Sequence, residues 1–254
     1  MSKFAKIMAS AATVTVFGSI GLFDIINEHT LLNSLRLPVE LSSKALASPF
    51  KGYVPPVKRQ RIERTDAAGS RGCPEGSYGS LSLLVPNDHV GLTVSKHPTF
   101  SWYASAAAST PMQFALVEPG VAQPLLVKKI KVDKPGIIQF TLPKNSKGLA
   151  QDKQYRWTVS LVCNAKRPSQ SIYVRSWIER VPLAFDSQTK QFDALGTGLF
   201  YAQNGIWYDA VAAISKSYLN NPQDKLSRGY LRVLLQQVGL SHVISKEIEP
   251  LAQN

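Results

Sequence analysis

Hydrophobic and polar positions alternate along the middle of the chain. In residues 154–163, Tyr155, Trp157 and Val159 share one parity and polar side chains the other, which is typical of a half-buried strand. Seven such segments are separated by Pro, Gly, Asn and Asp: 80–86, 99–103, 112–118, 124–132, 136–143, 154–163 and 171–181. The pattern predicts an antiparallel β-sandwich over residues 80–182.

After residue 182 the hydrophobic period lengthens to that of an amphipathic helix. The apolar positions predict one helix ending near Ala202, a second over 206–219 and a third over 226–238. Asn204-Gly205 is expected to form the turn between the first two helices. The chain is therefore predicted to be α+β, with a helical region at 183–254 that packs on the sandwich.

Short motifs refine both halves of this prediction. Pro98-x-Phe-x-Trp and Tyr155-x-Trp-x-Val resemble strands of bacterial immunoglobulin-like and fibronectin-like domains, so we expect an immunoglobulin-like sandwich. In the first two helices, six positions carry the residue types of one tetratricopeptide repeat: Gly198, Tyr201, Ala210, Ile214, Ser217 and Pro222. A stable array needs about three repeats. We therefore expect a single tetratricopeptide-like hairpin, plus one further helix.

The first fifty residues indicate export. Lys3 and Lys6 precede an apolar run over 7–23, and Ala45-Leu46-Ala47 is a small-x-small cleavage site. We predict a signal peptide at 1–47. An uncleaved anchor is the alternative, because 17 residues are near the lower limit for spanning a bilayer. The remainder, with no further transmembrane segment, is expected in the periplasm, at the outer membrane or outside the cell.

Positive charge is concentrated just after this signal. The net charge is +12, and residues 51–72 hold six Lys or Arg against Glu63 and Asp66. Pro, Gly and Arg without apolar periodicity predict a solvated linker over 48–79. An anionic envelope surface is a candidate contact for residues 51–72. Nucleic acid is not expected as a partner of an exported protein.

Two cysteines, Cys73 and Cys163, are present in the exported part. An oxidising compartment favours a disulfide between them, and two buried thiols are the alternative. A pair of cysteines alone does not form a zinc site.

Catalytic motifs are sparse. The chain has no Gly-x-Ser-x-Gly, His-Glu-x-x-His or Walker sequence, and we predict no catalytic residue, cofactor or metal. Ser187 and Lys190 match Ser-x-x-Lys without its partner motifs. His89 and His97 flank a loop beside Asp88, where turn formation explains them better than an acid–base or metal site.

The last predicted strand presents an aromatic and charged face that could bind sugar, unless the following helices cover it. Glu179 and Asp209 could also form a carboxylate pair. The alternative is an ion pair of Glu179 with Arg175 or Arg180, with Asp209 stabilising the start of its helix. The candidate binding residues are Tyr173, Arg175, Trp177, Glu179, Trp207 and Asp209.

Six motifs together resemble the domain of unknown function 928 family: SRGC, LVPNDHVGLTVSKHPTFSWY, GIIQFTLP, YRWTVSLVCN, WIERV and YAQNGIWYDAVAAI. The similarity covers about residues 70–242. It implies an exported cyanobacterial protein, and it transfers no catalytic residues because the family has none assigned.

Three functions follow as expectations. The first is a non-enzymatic envelope or secreted module that binds a protein or polysaccharide. The alternatives are an accessory factor for outer-membrane secretion or assembly, and a periplasmic hydrolase that uses paired carboxylates.

Overall fold

A computed structural model describes residues 51–56, 65–68, 79–107, 112–162, 166, 171–182 and 192–249. The predicted signal peptide, the Cys73–Cys163 disulfide and the Ser187-x-x-Lys190 motif lie outside these residues. The signal and the disulfide therefore stay predictions.

The described strands form two sheets. They are β1 (Thr65–Ala68), β2 (Leu81–Leu83), β3 (Gly91–Thr93), β4 (Thr99–Ala104), β5 (Met112–Val117), β6 (Leu126–Ile130), β7 (Gly136–Thr141), β8 (Lys153–Leu161) and β9 (Ile172–Arg180). The large sheet has the order β1-β9-β8-β5-β6, with β3 parallel to β9, and the small sheet has the order β2-β4-β7. Each of the seven predicted segments contains a strand.

Aromatic side chains join the two sheets. The Phe100 ring on β4 lies 4.9 Å from the Phe114 ring on β5 and 5.0 Å from the Trp157 ring on β8. All three side chains are fully buried, as the alternation predicted. This confirms an α+β chain with sandwich-like packing, whereas its immunoglobulin-like character stays a prediction.

The helices are α1 (Ala194–Gln203), α2 (Trp207–Asn220), α3 (Lys225–Gln237) and a short α4 (Ser241–Val243), followed by a π-helical turn (Ile244–Ile248). Helices α1 and α2 form the predicted hairpin, and a Cβ on Gly198 would lie only 2.7 Å from Ile214. Gly205 makes the turn with a φ of +77°. The likeness to a tetratricopeptide repeat stays a prediction.

Helix α2 covers the far face of the small sheet. On β4, Ser101 and Tyr103 are buried although they have the opposite parity to Phe100. On β7, the Gln139 amide donates to the Ala212 carbonyl of α2 over 3.0 Å. The layers are therefore the large sheet, the small sheet and the helices.

The predicted solvated linker is wrong for its described residues. Tyr53 is buried, its N–H donates to the Gln237 side chain over 2.7 Å, and the Val54 N–H donates to the Ala202 carbonyl. Strand β1 lies in the same predicted linker and pairs with β9. These contacts join distant parts of the chain, so they leave no local hydrophobic period.

Candidate functional site

The outward side chains of β9 and β8 form one continuous surface, called the outer face below. Cross-strand pairing places Tyr173 opposite Ser160, Arg175 opposite Thr158, Trp177 opposite Arg156 and Glu179 opposite Gln154. All eight side chains are half-buried. Helix α2 packs against β4 and β7 of the small sheet, on the other side of the sandwich, so it does not cover this surface. The predicted alternative, in which helices cover this face, is therefore not seen for helix α2.

Each aromatic ring of the outer face has an arginine beside it. The Arg156 guanidinium lies 6.0 Å from the centre of the Trp177 ring, and that of Arg175 lies 6.0 Å from the Tyr173 ring. These distances are at the limit for a cation–π contact. The two rings are four residues apart on one strand, or about 13 Å.

Glu179 lies at the edge of the outer face and accepts a hydrogen bond of 2.9 Å from the Gln154 side chain. It lines an open cavity of about 510 Å³ together with Glu118 and Asp152. Arg180, proposed above as an ion-pair partner, instead donates to two backbone carbonyls.

A second cavity, called the junction cavity below, lies between β4, β7 and the hairpin. It has a volume of about 410 Å³. Most of its lining is polar and comes from the β3–β4 connection, both strands and α2: Ser95, His97, Thr99, Gln139, Thr141 and Asp209. Long-range folding thus brings together residues from three separate sequence motifs.

Asp209 connects α2 to the strand edge inside this cavity. The Thr93 hydroxyl donates to Oδ2 over 2.7 Å, and the Val94 N–H donates to the same oxygen over 3.2 Å. Burial raises the pKa of Asp209 from 3.8 to about 6, although these hydrogen bonds lower it. The residue lies in the first turn of α2, and its carboxylate also bonds to a strand.

The structure does not bring Glu179 and Asp209 into one cavity. Glu179 lines the 510 Å³ cavity and Asp209 lines the junction cavity. Their hydrogen-bond partners also differ: Gln154 for Glu179, and Thr93 with Val94 for Asp209. The geometry therefore assigns the two carboxylates to separate environments.

Trp207 is a core residue. Its side chain is fully buried, its indole N–H donates to the Leu84 carbonyl over 2.9 Å, and its ring packs edge-on against Tyr53. Residues two positions apart on an α-helix point in directions about 200° apart, so the Trp207 and Asp209 side chains lie on different sides of α2. Trp207 consequently offers no exposed surface to a partner.

The two loop histidines have different roles. His89 is buried, with Nε2 2.8 Å from the Tyr53 hydroxyl and Nδ1 2.6 Å from Asp88. It therefore links the segment 51–56 to the loop after β2. His97 lines the junction cavity, and its buried Nδ1 has no hydrogen-bond partner among the described residues. The sequence gives no signal that His97 and Asp209 share a cavity, because they are more than a hundred residues apart.

Neither a metal-binding cluster nor a membrane-spanning helix is present among the described residues. No group of three or more His, Cys, Asp or Glu side chains there is arranged to hold a metal ion. No helix in that part of the chain is both long and apolar enough to cross a membrane.

A family model described as Domain of Unknown Function (DUF928) matches residues 66–248. The chain belongs to this family. The match confirms the resemblance expected from the six motifs, and the DUF928 region contains both the outer face and the junction cavity. A search of curated proteins found no match.

Proposed function

We propose that this DUF928 protein is an exported, non-enzymatic module of the cell envelope or the secreted fraction, and that its outer face binds an acidic polysaccharide. The observation that carries the proposal is the repeated pairing of an aromatic ring with a guanidinium, Trp177 with Arg156 and Tyr173 with Arg175. Both pairs lie on one face of a sheet and are half-exposed to solvent.

The chemistry of these pairs suits a chain of charged sugars. Aromatic rings offer flat apolar surfaces for the faces of pyranose rings, and guanidinium groups bind carboxylates through paired N–H donors. The 13 Å between the two rings lets neighbouring parts of one extended polymer contact both pairs.

Cross-strand pairing extends this cationic surface. Tyr173 of β9, Ser160 of β8, Gln113 of β5 and Lys129 of β6 lie opposite one another in turn, so they form one row across the large sheet. The outward positions thus include Arg156, Arg175 and Lys129 against Glu179, an excess of positive charge that favours an anionic partner.

The proposed location follows from the export signal predicted at 1–47. Envelope polysaccharides are abundant in that compartment, and the sequence adds six Lys or Arg in residues 51–72. The separate cavities of Glu179 and Asp209 give no geometric support to the alternative of a hydrolase with paired carboxylates.

Affinity electrophoresis in gels containing polygalacturonate tests the proposal. We expect the acidic polymer to retard the protein and neutral dextran not to do so. Trp177→Ala and Arg175→Gln should each weaken binding about tenfold, equivalent to about 1.4 kcal/mol.

Lys131→Gln is the matched charge control, because Lys131 is 82% exposed on the β6–β7 connection. It should bind as the unmodified protein does. Equal retardation by both polymers, or equal binding by all three variants, would contradict the proposal. Specific retention of an outer-membrane protein without polygalacturonate binding would favour the accessory-factor alternative.

A further inference from the structure

The junction cavity has the features of a small-molecule site, and the outer face does not share its lining residues. Its volume of about 410 Å³ lies in the usual range for such sites. Two walls are strands of the small sheet, a third is α2, and the β3–β4 connection contributes Ser95 and His97. The apolar residues that α2 contributes to the lining, Ala212 and Ala213, are small.

Hydroxyl and amide groups dominate the strand side of the cavity. The Thr99 and Thr141 hydroxyls are 2.8 Å apart and share one hydrogen bond, which leaves each oxygen further capacity to accept. The Gln139 amide nitrogen donates to the Ala212 carbonyl of α2, so its oxygen remains the acceptor of that side chain. Such groups suit a ligand that both donates and accepts hydrogen bonds.

Asp209 and His97 add two further polar groups to the lining. Both hydrogen bonds that Asp209 accepts from Thr93 and Val94 end on Oδ2, and Oδ1 is the second acceptor of the same carboxylate. His97 Nδ1 is buried with no partner among the residues that the structure describes. A buried polar atom without a partner costs about 1–3 kcal/mol, and a rotation of the His97 ring, which lines the cavity, would bring Nδ1 to a ligand hydroxyl.

We propose that the junction cavity binds a small polyhydroxylated ligand of one or two sugar rings. The hydroxyl groups of such a ligand match the mixed donors and acceptors of Thr99, Thr141 and Gln139, and one of them bonds to His97. An anionic ligand fits less well, because the Asp209 carboxylate lines the same cavity as Lys216, which is the single lysine among the lining residues. The apolar part of the lining, which includes Tyr201, Ala212 and Ala213, would pack against the carbon-bound hydrogens of a sugar ring. This site is additional to the polysaccharide surface proposed above.

Amide and imidazole NMR spectra of the full exported protein test the proposal. The probes are glucose, galactose, N-acetylglucosamine and cellobiose at millimolar concentrations. We expect at least one sugar to shift the amide signals of Ser95 and His97, and to shift the His97 Nδ1 signal, because this atom gains a hydrogen-bond partner.

Two variants and one control localise the binding. His97→Phe and Thr141→Val should each weaken the affinity for that sugar about tenfold. Thr158→Val removes a hydroxyl from the outer face instead, so it should leave the affinity unchanged. If His97→Phe does not fold, Thr141→Val still decides the question, since it preserves the shape of the side chain.

The proposal is overturned if none of the four sugars shifts these signals, or if both cavity variants keep the original affinity. Its failure is distinguishable from failure of the outer-face proposal. Polygalacturonate binding depends on Trp177 and Arg175, whereas binding of the small sugar depends on His97 and Thr141.

Discussion

Replacing Asp209 by Asn should change how the stability of the protein depends on pH. The Asn side chain is neutral at every pH, and its amide oxygen can still accept the bonds from Thr93 and Val94. The substitution therefore removes the charge of the half-buried carboxylate while it preserves shape and most hydrogen bonding.

The size of the effect follows from the pKa of Asp209, which burial raises from 3.8 to about 6. The folded protein holds this proton more tightly than the unfolded chain does, so the group's stabilising contribution is present below pH 3.8 and is lost as pH rises through 6. At about 1.36 kcal/mol per pKa unit, the full loss is about 3 kcal/mol. About 2.5 kcal/mol of it falls between about pH 4 and pH 7.5.

The assay is urea unfolding of both proteins at a series of pH values. The free energy of unfolding of Asp209→Asn, minus that of the unmodified protein, should increase by about 2.5 kcal/mol from pH 4 to 7.5 and stay constant above this range. Asp133→Asn is the control, because the Asp133 side chain is 71% exposed. The free energy of unfolding of Asp133→Asn, minus that of the unmodified protein, should change much less over the same pH range.

A difference that is independent of pH for Asp209→Asn would refute the reasoning. So would a variant that becomes relatively less stable as pH rises. The first result would mean that the cavity solvates the Asp209 charge as well as water does, and the second that the folded protein stabilises this charge better than water does.

Buried contacts give two further predictions. Tyr208→Phe should lower the free energy of unfolding, measured by urea unfolding, by about 2–3 kcal/mol. The Tyr208 hydroxyl accepts from the Trp157 indole over 2.7 Å and donates to the Trp177 carbonyl over 2.8 Å, and the variant loses both bonds. A loss below about 0.5 kcal/mol would contradict this prediction. Gly198→Ala should destabilise the hairpin by about 1–2 kcal/mol through overpacking, whereas Gly229→Ala, which has open space around it, should raise the thermal midpoint. Equal effects of the two glycine substitutions would exclude a tight helix contact at Gly198.

The long strands and helices could be predicted because their signals are local. In β8, Tyr155, Trp157 and Val159 alternate with polar residues over nine positions, and all three are buried. Helix α2 carries its apolar side chains at helical spacing over 14 residues. In both elements the pattern itself specifies which side faces the core.

Short elements escaped prediction because they are too short to show a period. Strand β3 has three residues and is held by parallel pairing with β9, far along the chain. The π-helical turn is similarly short, and its buried Ile244 and Ile248 lie four residues apart in a single turn. Such elements depend on contacts with distant residues.

Of the two candidate sites, one could be predicted from a local pattern and the other depends on tertiary packing. The outer face could be predicted because Tyr173, Arg175 and Trp177 alternate along one strand. The junction cavity could not, because the loop that carries His97 and the helix that carries Asp209 meet only after both pack on the small sheet. The separation of Glu179 from Asp209 likewise depends on tertiary packing.

The indole N–H signals of the protein offer the most direct test of polysaccharide binding at the outer face. The chain has four tryptophans. Trp177 is half-buried, and the others, Trp102, Trp157 and Trp207, are fully buried. Addition of polygalacturonate is predicted to shift the Trp177 signal and leave the three buried indoles unchanged. An unchanged Trp177 signal, at concentrations where the polymer binds the protein, would contradict the account.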